Sequence, residues 1–127
     1  MKYILDTHTI LWYCENPDKL SDSVKKIIYD DNLQIFVSIA SLWEFSIKFS
    51  IGKLKFEGGL SRLCELIMQV DFMILPITQN HLATVINLPF IHRDPFDRLL
   101  IAAAIEENMT ILTIDDNISQ YDVISVW

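Results

Sequence analysis

A chain of 127 residues is long enough to bury a real core as one domain spanning 1–127. Hydrophobic residues make up 51% of it, yet every apolar run is interrupted before bilayer length, as Lys48 and Ser50 interrupt the stretch after Trp43, which excludes a membrane segment. A net charge of −7 argues against gripping nucleic acid by bulk charge attraction, but it allows an enzyme whose acids share one cation-binding site. The apolar stretch after Met1 is too short for a signal peptide. Cys14 and Cys64 lie far apart with no metal spacing, so they read as free thiols of a reducing cytoplasm.

In chain order, Lys2–Leu5 reads as a buried strand that delivers Asp6 at its C-terminal end. Thr7 is expected to cap a helix through Cys14, closed by Asn16-Pro17. Ser21 caps a second helix over Ser21–Asp31, with Leu20, Val24, Ile27 and Ile28 as its apolar stripe. Gln34–Val37 is the second strand, and Ser38 caps the helix carrying Trp43 and Phe49, halted by Gly52. The loop Lys53–Gly59 leads to a helix over Leu60–Gln69, a third strand Phe72–Leu75, and a helix from Thr78 to Asn87.

The stretch Arg93-Asp94-Pro95-Phe96-Asp97-Arg98 then opens an apolar run through Ile105 that is greasy on nearly every side, as a buried helix is. Asp94 fits its N-cap, Pro95 its first position and Asp97 its first turn. Thr110–Ile114 is a β-branched strand ending at Asp115-Asp116, and Asp122–Val126 is a last strand. Strands alternating with helices imply an α/β/α three-layer sandwich on a mainly parallel, about five-stranded sheet. In such sheets the ligand crevice lies beyond the strands' carboxyl ends, where Asp6 and Asp115 fall.

Four carboxylates with apolar flanks stand out: Asp6, Glu44, Asp97 and Asp115. Each also has a plain structural use. Asp6 and Asp94 suit helix caps, Asp115 a turn, and Glu44 a pair with Lys48 or a capping partnership with Ser41. Converging on one sheet edge, however, they would repel unless protonated or bridged by a cation. Oxygen ligands without a His or Cys spacing suit Mg²⁺ or Mn²⁺, and such a site can activate water against a phosphodiester.

Leu5-Asp6-Thr7-His8 after a strand, Trp43-Glu44 in an apolar helix, His92 through Ala102, and Leu112-Thr113-Ile114-Asp115 together resemble the PIN domain. More narrowly they resemble the VapC-like ribonuclease toxins of toxin–antitoxin pairs, over essentially the whole chain. The resemblance implies a PIN-like fold and a metal-dependent endoribonuclease leaving a 5′-phosphate and a 3′-hydroxyl. By matching position, Asp6, Glu44, Asp97 and Asp115 would be the catalytic, metal-holding acids. Asp94 and Thr113 would support them, and Asp116 competes with Asp115 to face the site. The family also implies a homodimer and a cognate VapB-like antitoxin that blocks the site.

His92 and Arg93, beside the site loop, are the first candidates for touching RNA. Arg98 either joins them or balances the local acids. Lys48, Lys53, Lys55 and Arg62 form the one basic neighbourhood, read either as ordinary solvated surface or as a phosphate track. Trp12, Trp43, Phe45 and Phe49 are core residues or part of a groove for an antitoxin helix. Two rival readings are an inactive PIN-like interaction module, which should have lost an acid, and a Mg²⁺-binding receiver domain. The second needs an acid closing the third strand, where this chain has Leu75-Pro76.

Overall fold

Five short apolar strands pair side by side, all parallel, in the order β3-β2-β1-β4-β5. They are β1 (Lys2–Leu5), β2 (Gln34–Ser38), β3 (Met73–Leu75), β4 (Thr110–Leu112) and β5 (Ser125–Val126) in a computed structural model describing residues Met1–Trp127. Successive side chains along a strand point to opposite faces, and the core divides accordingly. Tyr3, Leu5, Ile35, Val37 and Leu112 pack on one side. There they meet helices α1 (Thr7–Glu15), α2 (Asp22–Ile28), α3 (Ile39–Ser50) and α4 (Gly59–Gln69) through Ile10, Val24, Leu42, Phe45, Leu63 and Ile67. Ile4 and Ile111 face the other way, onto α6 (Pro95–Glu107) and the turn carrying Ile118 and Tyr121. Helix α5 (Gln79–Asn87) lies against α6. The expected α/β sandwich with a five-stranded parallel sheet is therefore what the chain forms.

Each fully buried Leu or Ile is worth about 1.5–3 kcal/mol, so these two faces carry most of the stability. Ala102, Ala103 and Ala104 are buried and let α6 run close over the sheet. Asp94 caps α6 by accepting the N–H groups of Phe96 and Asp97, and Asn108, at φ 54°, ends it in the left-handed conformation that Asn tolerates.

Several boundaries differ from the sequence reading, each for a local reason. Thr7 does not cap α1; Asp6 does, its Oδ1 accepting the Thr9 N–H at 2.8 Å. Helix α2 stops at Ile28 instead of Asp31, because Asp30 closes a turn by accepting the Asn32 N–H. Phe72 stays outside β3, since its N–H goes to the Ile67 carbonyl at the end of α4. β4 ends at Leu112, and β5 starts only at Ser125 after a tight turn in which the Val123 N–H meets the Tyr121 carbonyl. The receiver-domain reading fails on order: β3 is an edge strand here, whereas the flavodoxin-like order of receivers buries the third strand inside the sheet.

Candidate metal centre

Strand register decides which residues meet. Leu5 is level with Val37 on one side and Leu112 on the other, so Asp6, Ser38 and Thr113 leave the sheet along one edge. Asp6 is buried at that edge and its carboxylate is fully engaged. Oδ1 accepts from the Thr9 backbone and hydroxyl, and Oδ2 accepts from the Thr113 hydroxyl at 2.5 Å. Thr113 in turn accepts the Asp115 N–H at 3.0 Å, fixing the chain as it turns off β4.

Glu44 reaches the same edge from α3. It is buried, and its two oxygens are held by the Thr7 hydroxyl at 2.5 Å and the Lys48 ammonium at 2.6 Å. The pairing with Lys48 foreseen as a plain alternative is thus present, but at the rim of the cleft instead of on open surface. The Glu44 hydrogen bond pushes the Lys48 amine above its ordinary range, with the charges of Asp94 and Asp97 adding to the effect. Asp97 projects from the first turn of α6. Burial, above all, and then the neighbouring charge of Asp94 push its carboxyl up to about 7; Glu44 and Asp6 add to this, while His92 opposes it.

These side chains line one cleft of about 420 Å³. Five acids converge there, Asp6, Glu44, Asp94, Asp97 and Asp115, with Lys48 as the compensating ammonium and His92 among them. A carboxyl pushed to about 7 marks charge that the chain alone leaves poorly compensated. Hard oxygen donors in a small, strongly acidic cleft fit a divalent cation of the Mg²⁺ or Mn²⁺ type. The tightest group is His92, Asp97 and Asp115, with one ligand-type atom from each lying within 4.8 Å of the others. A larger hollow, about 620 Å³, sits at the opposite end of the sheet, and its only charged side chains are Lys2 and Asp122.

All four expected acids, with Asp94 and Thr113, lie at this edge. Asp115 faces His92, whereas Asp116 is exposed, which separates the two neighbours. Arg98 does neither thing expected of it. It is buried on the far side of α6's first turn, donating to the carbonyls of Val85, Leu88 and Pro89 and covering the Phe90 ring at 4.2 Å. It therefore makes no ion pair with the acids and does not line their cleft. Arg93, Lys53 and Lys55 are exposed, but Arg62 pairs with Glu65 and Lys48 with Glu44, so the basic neighbourhood is not a continuous track. Among the aromatics, Phe45 is core and Trp12 packs edge-on against Trp127. Trp43 and Phe49 stay exposed, Trp43 resting against Phe96.

The sequence reading underrated His92 and missed Thr9. His92 Nε2 lies 3.0 Å from Asp97 Oδ2 and 2.8 Å from Asp115 Oδ2, inside the acid group. Thr9 stands three residues after a capping Asp, a spacing that signals the contact once Asp6 is seen as the cap.

Comparison with known proteins agrees with this architecture. The PIN domain family profile matches residues 3–124. No curated protein matches in sequence. Among solved structures, the chain is similar to VapBC2 from Rickettsia felis bound to a DNA fragment from its promoter, with TM-score 0.76 and 18% identity over 99% of this chain and 98% of that one. It is also similar to VapBC-1 from nontypeable Haemophilus influenzae, with TM-score 0.70 and 18% identity over 99% and 97%. FitAcB from Neisseria gonorrhoeae matches with TM-score 0.63 and 18% identity over 98% and 96%. At such identities these likenesses concern the fold.

Proposed function

The chain belongs to the PIN domain family, and from that premise we propose that it is a Mg²⁺- or Mn²⁺-dependent endoribonuclease, a VapC-like toxin. The observation that carries the reading is the convergence of Asp6, Glu44, Asp97 and Asp115 in one cleft. Asp97 offers the most available oxygen, since the carboxylate oxygens of Asp6, Glu44 and Asp115 already accept hydrogen bonds within the protein. Asp6 and Glu44 complete the negative field around the cation. A divalent ion held there supplies Lewis acidity and a water ready to ionise, the chemistry that phosphodiester hydrolysis needs.

The chain's own groups then do the rest. Thr113 and Thr9 hold Asp6 in one orientation, and the Thr7 hydroxyl and the Lys48 ammonium hold the buried Glu44 carboxylate between them. Arg93 and Lys53, both exposed, are free to meet RNA phosphates, while Lys48 adds positive charge at the rim. The same reading assigns the protein to the cytoplasm, as a homodimer neutralised by a VapB-like antitoxin. The exposed Trp43 and Phe49 support such a partner, because large apolar groups left open on one helix mark a docking face. No helix is long and apolar enough to cross a membrane.

The test is cleavage of RNA by the purified chain with Mg²⁺ or Mn²⁺, with EDTA, and in Asp6→Asn and Asp97→Asn variants. Cleavage that needs the metal and disappears in both folded variants is the expected result, with 5′-phosphate ends on the products. Activity that survives EDTA contradicts the mechanism. A folded, metal-binding wild type that never cuts RNA favours the inactive interaction module.

A further inference from the structure

The His92 side chain sits between two acids of the proposed centre. Its Nε2 is within hydrogen-bond distance of one oxygen each of Asp97 and Asp115, at 3.0 and 2.8 Å. Its other nitrogen decides what it is doing there. Nδ1 receives the Asp94 backbone N–H at 3.2 Å, so it acts as an acceptor and carries no proton. The proton is then on Nε2, assigned from this hydrogen-bond pattern, with Asp115 Oδ2 as its hydrogen-bond acceptor and Asp97 Oδ2 close beside it. A metal-ligating histidine needs the reverse: a bare Nε2, and a proton on Nδ1 given to an acceptor. The Asp94 N–H, itself a donor, faces Nδ1 and opposes that arrangement.

We propose that His92 is a positioning residue of the acid centre and not a metal ligand: its Nε2–H bridges Asp97 and Asp115 in the metal-free protein and gives up that place when a cation binds. This rests on the metal centre of the preceding reading. The bridge explains how two carboxylates stay side by side without an ion, since one N–H shared between them offsets part of their repulsion.

The ring is held in place from behind. The His92 N–H donates to the Tyr121 hydroxyl at 2.7 Å, and that hydroxyl donates to the Pro89 carbonyl at 2.7 Å. Arg98 clamps the same loop through the carbonyls of Leu88 and Pro89. His92 is thus presented on a backbone tied down on the far side of α6. Its side chain is largely buried against the acids that it faces.

Two measurements decide the matter. In ¹⁵N-histidine NMR of the wild type, the His92 proton should be on Nε2 both without metal and at saturating Mg²⁺. Its transfer to Nδ1 on adding Mg²⁺ means ligation and overturns the proposal. In Mn²⁺ titrations followed by calorimetry, His92→Ala should bind roughly tenfold more tightly than wild type, because the competing charge-assisted hydrogen bonds are gone. Tyr121→Phe, which loosens the ring's support, should shift affinity the same way by a smaller factor. Weaker or unchanged binding in His92→Ala overturns the proposal. If neither wild type nor His92→Ala binds Mn²⁺, it falls together with the metal centre, whereas intact Mn²⁺ binding without RNA cleavage sinks the nuclease reading alone.

Discussion

The Thr113 hydroxyl donates to Asp6 Oδ2 at 2.5 Å, joining two residues 107 positions apart across the β1–β4 seam. The same oxygen accepts the Asp115 N–H, so one hydroxyl orients one acid directly and sets the backbone of another. Replacing it by the isosteric Val leaves a buried carboxylate short of a donor, a loss of about 1–3 kcal/mol. Thr113→Val should lower the urea midpoint by that amount and reduce RNA cleavage at least about tenfold, as expected where a displaced group costs orientation. Thr113→Ser should recover most of both. A Val variant with wild-type stability and wild-type cleavage would mean that Asp6 needs no such tether.

Asp97 pulls stability and function in opposite directions. Its carboxylate is largely buried beside Asp94, with Glu44 and Asp6 also contributing repulsion. Asp97→Asn keeps the shape and an acceptor for the His92 N–H while removing the charge. The metal-free variant should therefore melt higher than wild type, by about 1 kcal/mol or roughly 4 °C in a chain of this size. It should also lose Mn²⁺ binding. Differential scanning of both proteins with and without Mn²⁺ checks the two halves together, and a lower melting point in the metal-free variant refutes the repulsion argument.

A carboxyl held at about 7 gives the protein a definite pH signature. The folded state keeps the Asp97 proton to a far higher pH than the unfolded chain does, whose value lies near 3.8. Asp97 thus favours folding most below the unfolded value, and this contribution is lost as pH rises toward about 7. Above that it changes no further. Urea midpoints of wild type relative to Asp97→Asn, measured without metal from pH 4 to 8, should show this decline. A cation must displace the same proton, so Mn²⁺ affinity should climb steeply up to about pH 7 and then level off. Affinity flat between pH 5.5 and 8 would count against it.

The sheet and most helices were legible because local signals were strong. Ser21, Ser38 and Asp94 each cap the helix they were expected to cap, Thr78 caps the helix it was expected to open, and the strands are short apolar runs with clear stops. The convergence of acids was legible for a related reason: a parallel sheet puts strand ends on one edge, so Asp6 and Asp115 had to be near each other. What the sequence concealed depended on side-chain direction. Arg98, next to Asp97, points through the first turn of α6 toward carbonyls of another loop, and no spacing rule encodes that. Asp115 and Asp116 are adjacent and chemically equal; only the turn built on Thr113 selects between them. His92 looked like a rim residue because its role depends on where two distant carboxylates end up.

Arg98 offers the sharpest separation between a structural and an RNA-binding residue. Its guanidinium is buried and donates to three carbonyls at the end of α5 and just beyond it, those of Val85, Leu88 and Pro89. Lysine cannot reproduce that fan of planar donors, because its ammonium is a single compact point at the end of a flexible stem. Arg98→Met should cost about 3 kcal/mol, since carbonyls sequestered from water lose their donors. Arg98→Lys should fall between Met and wild type. Unfolding in urea should show a lower midpoint with little change in slope, and hydrogen exchange should quicken at His92, whose N–H is held by the Tyr121 hydroxyl in the same network. A residue that merely touched RNA would behave the other way, with Lys retaining cleavage and Met leaving the unfolding curve unmoved. That second pattern would move Arg98 from the scaffold to the substrate face.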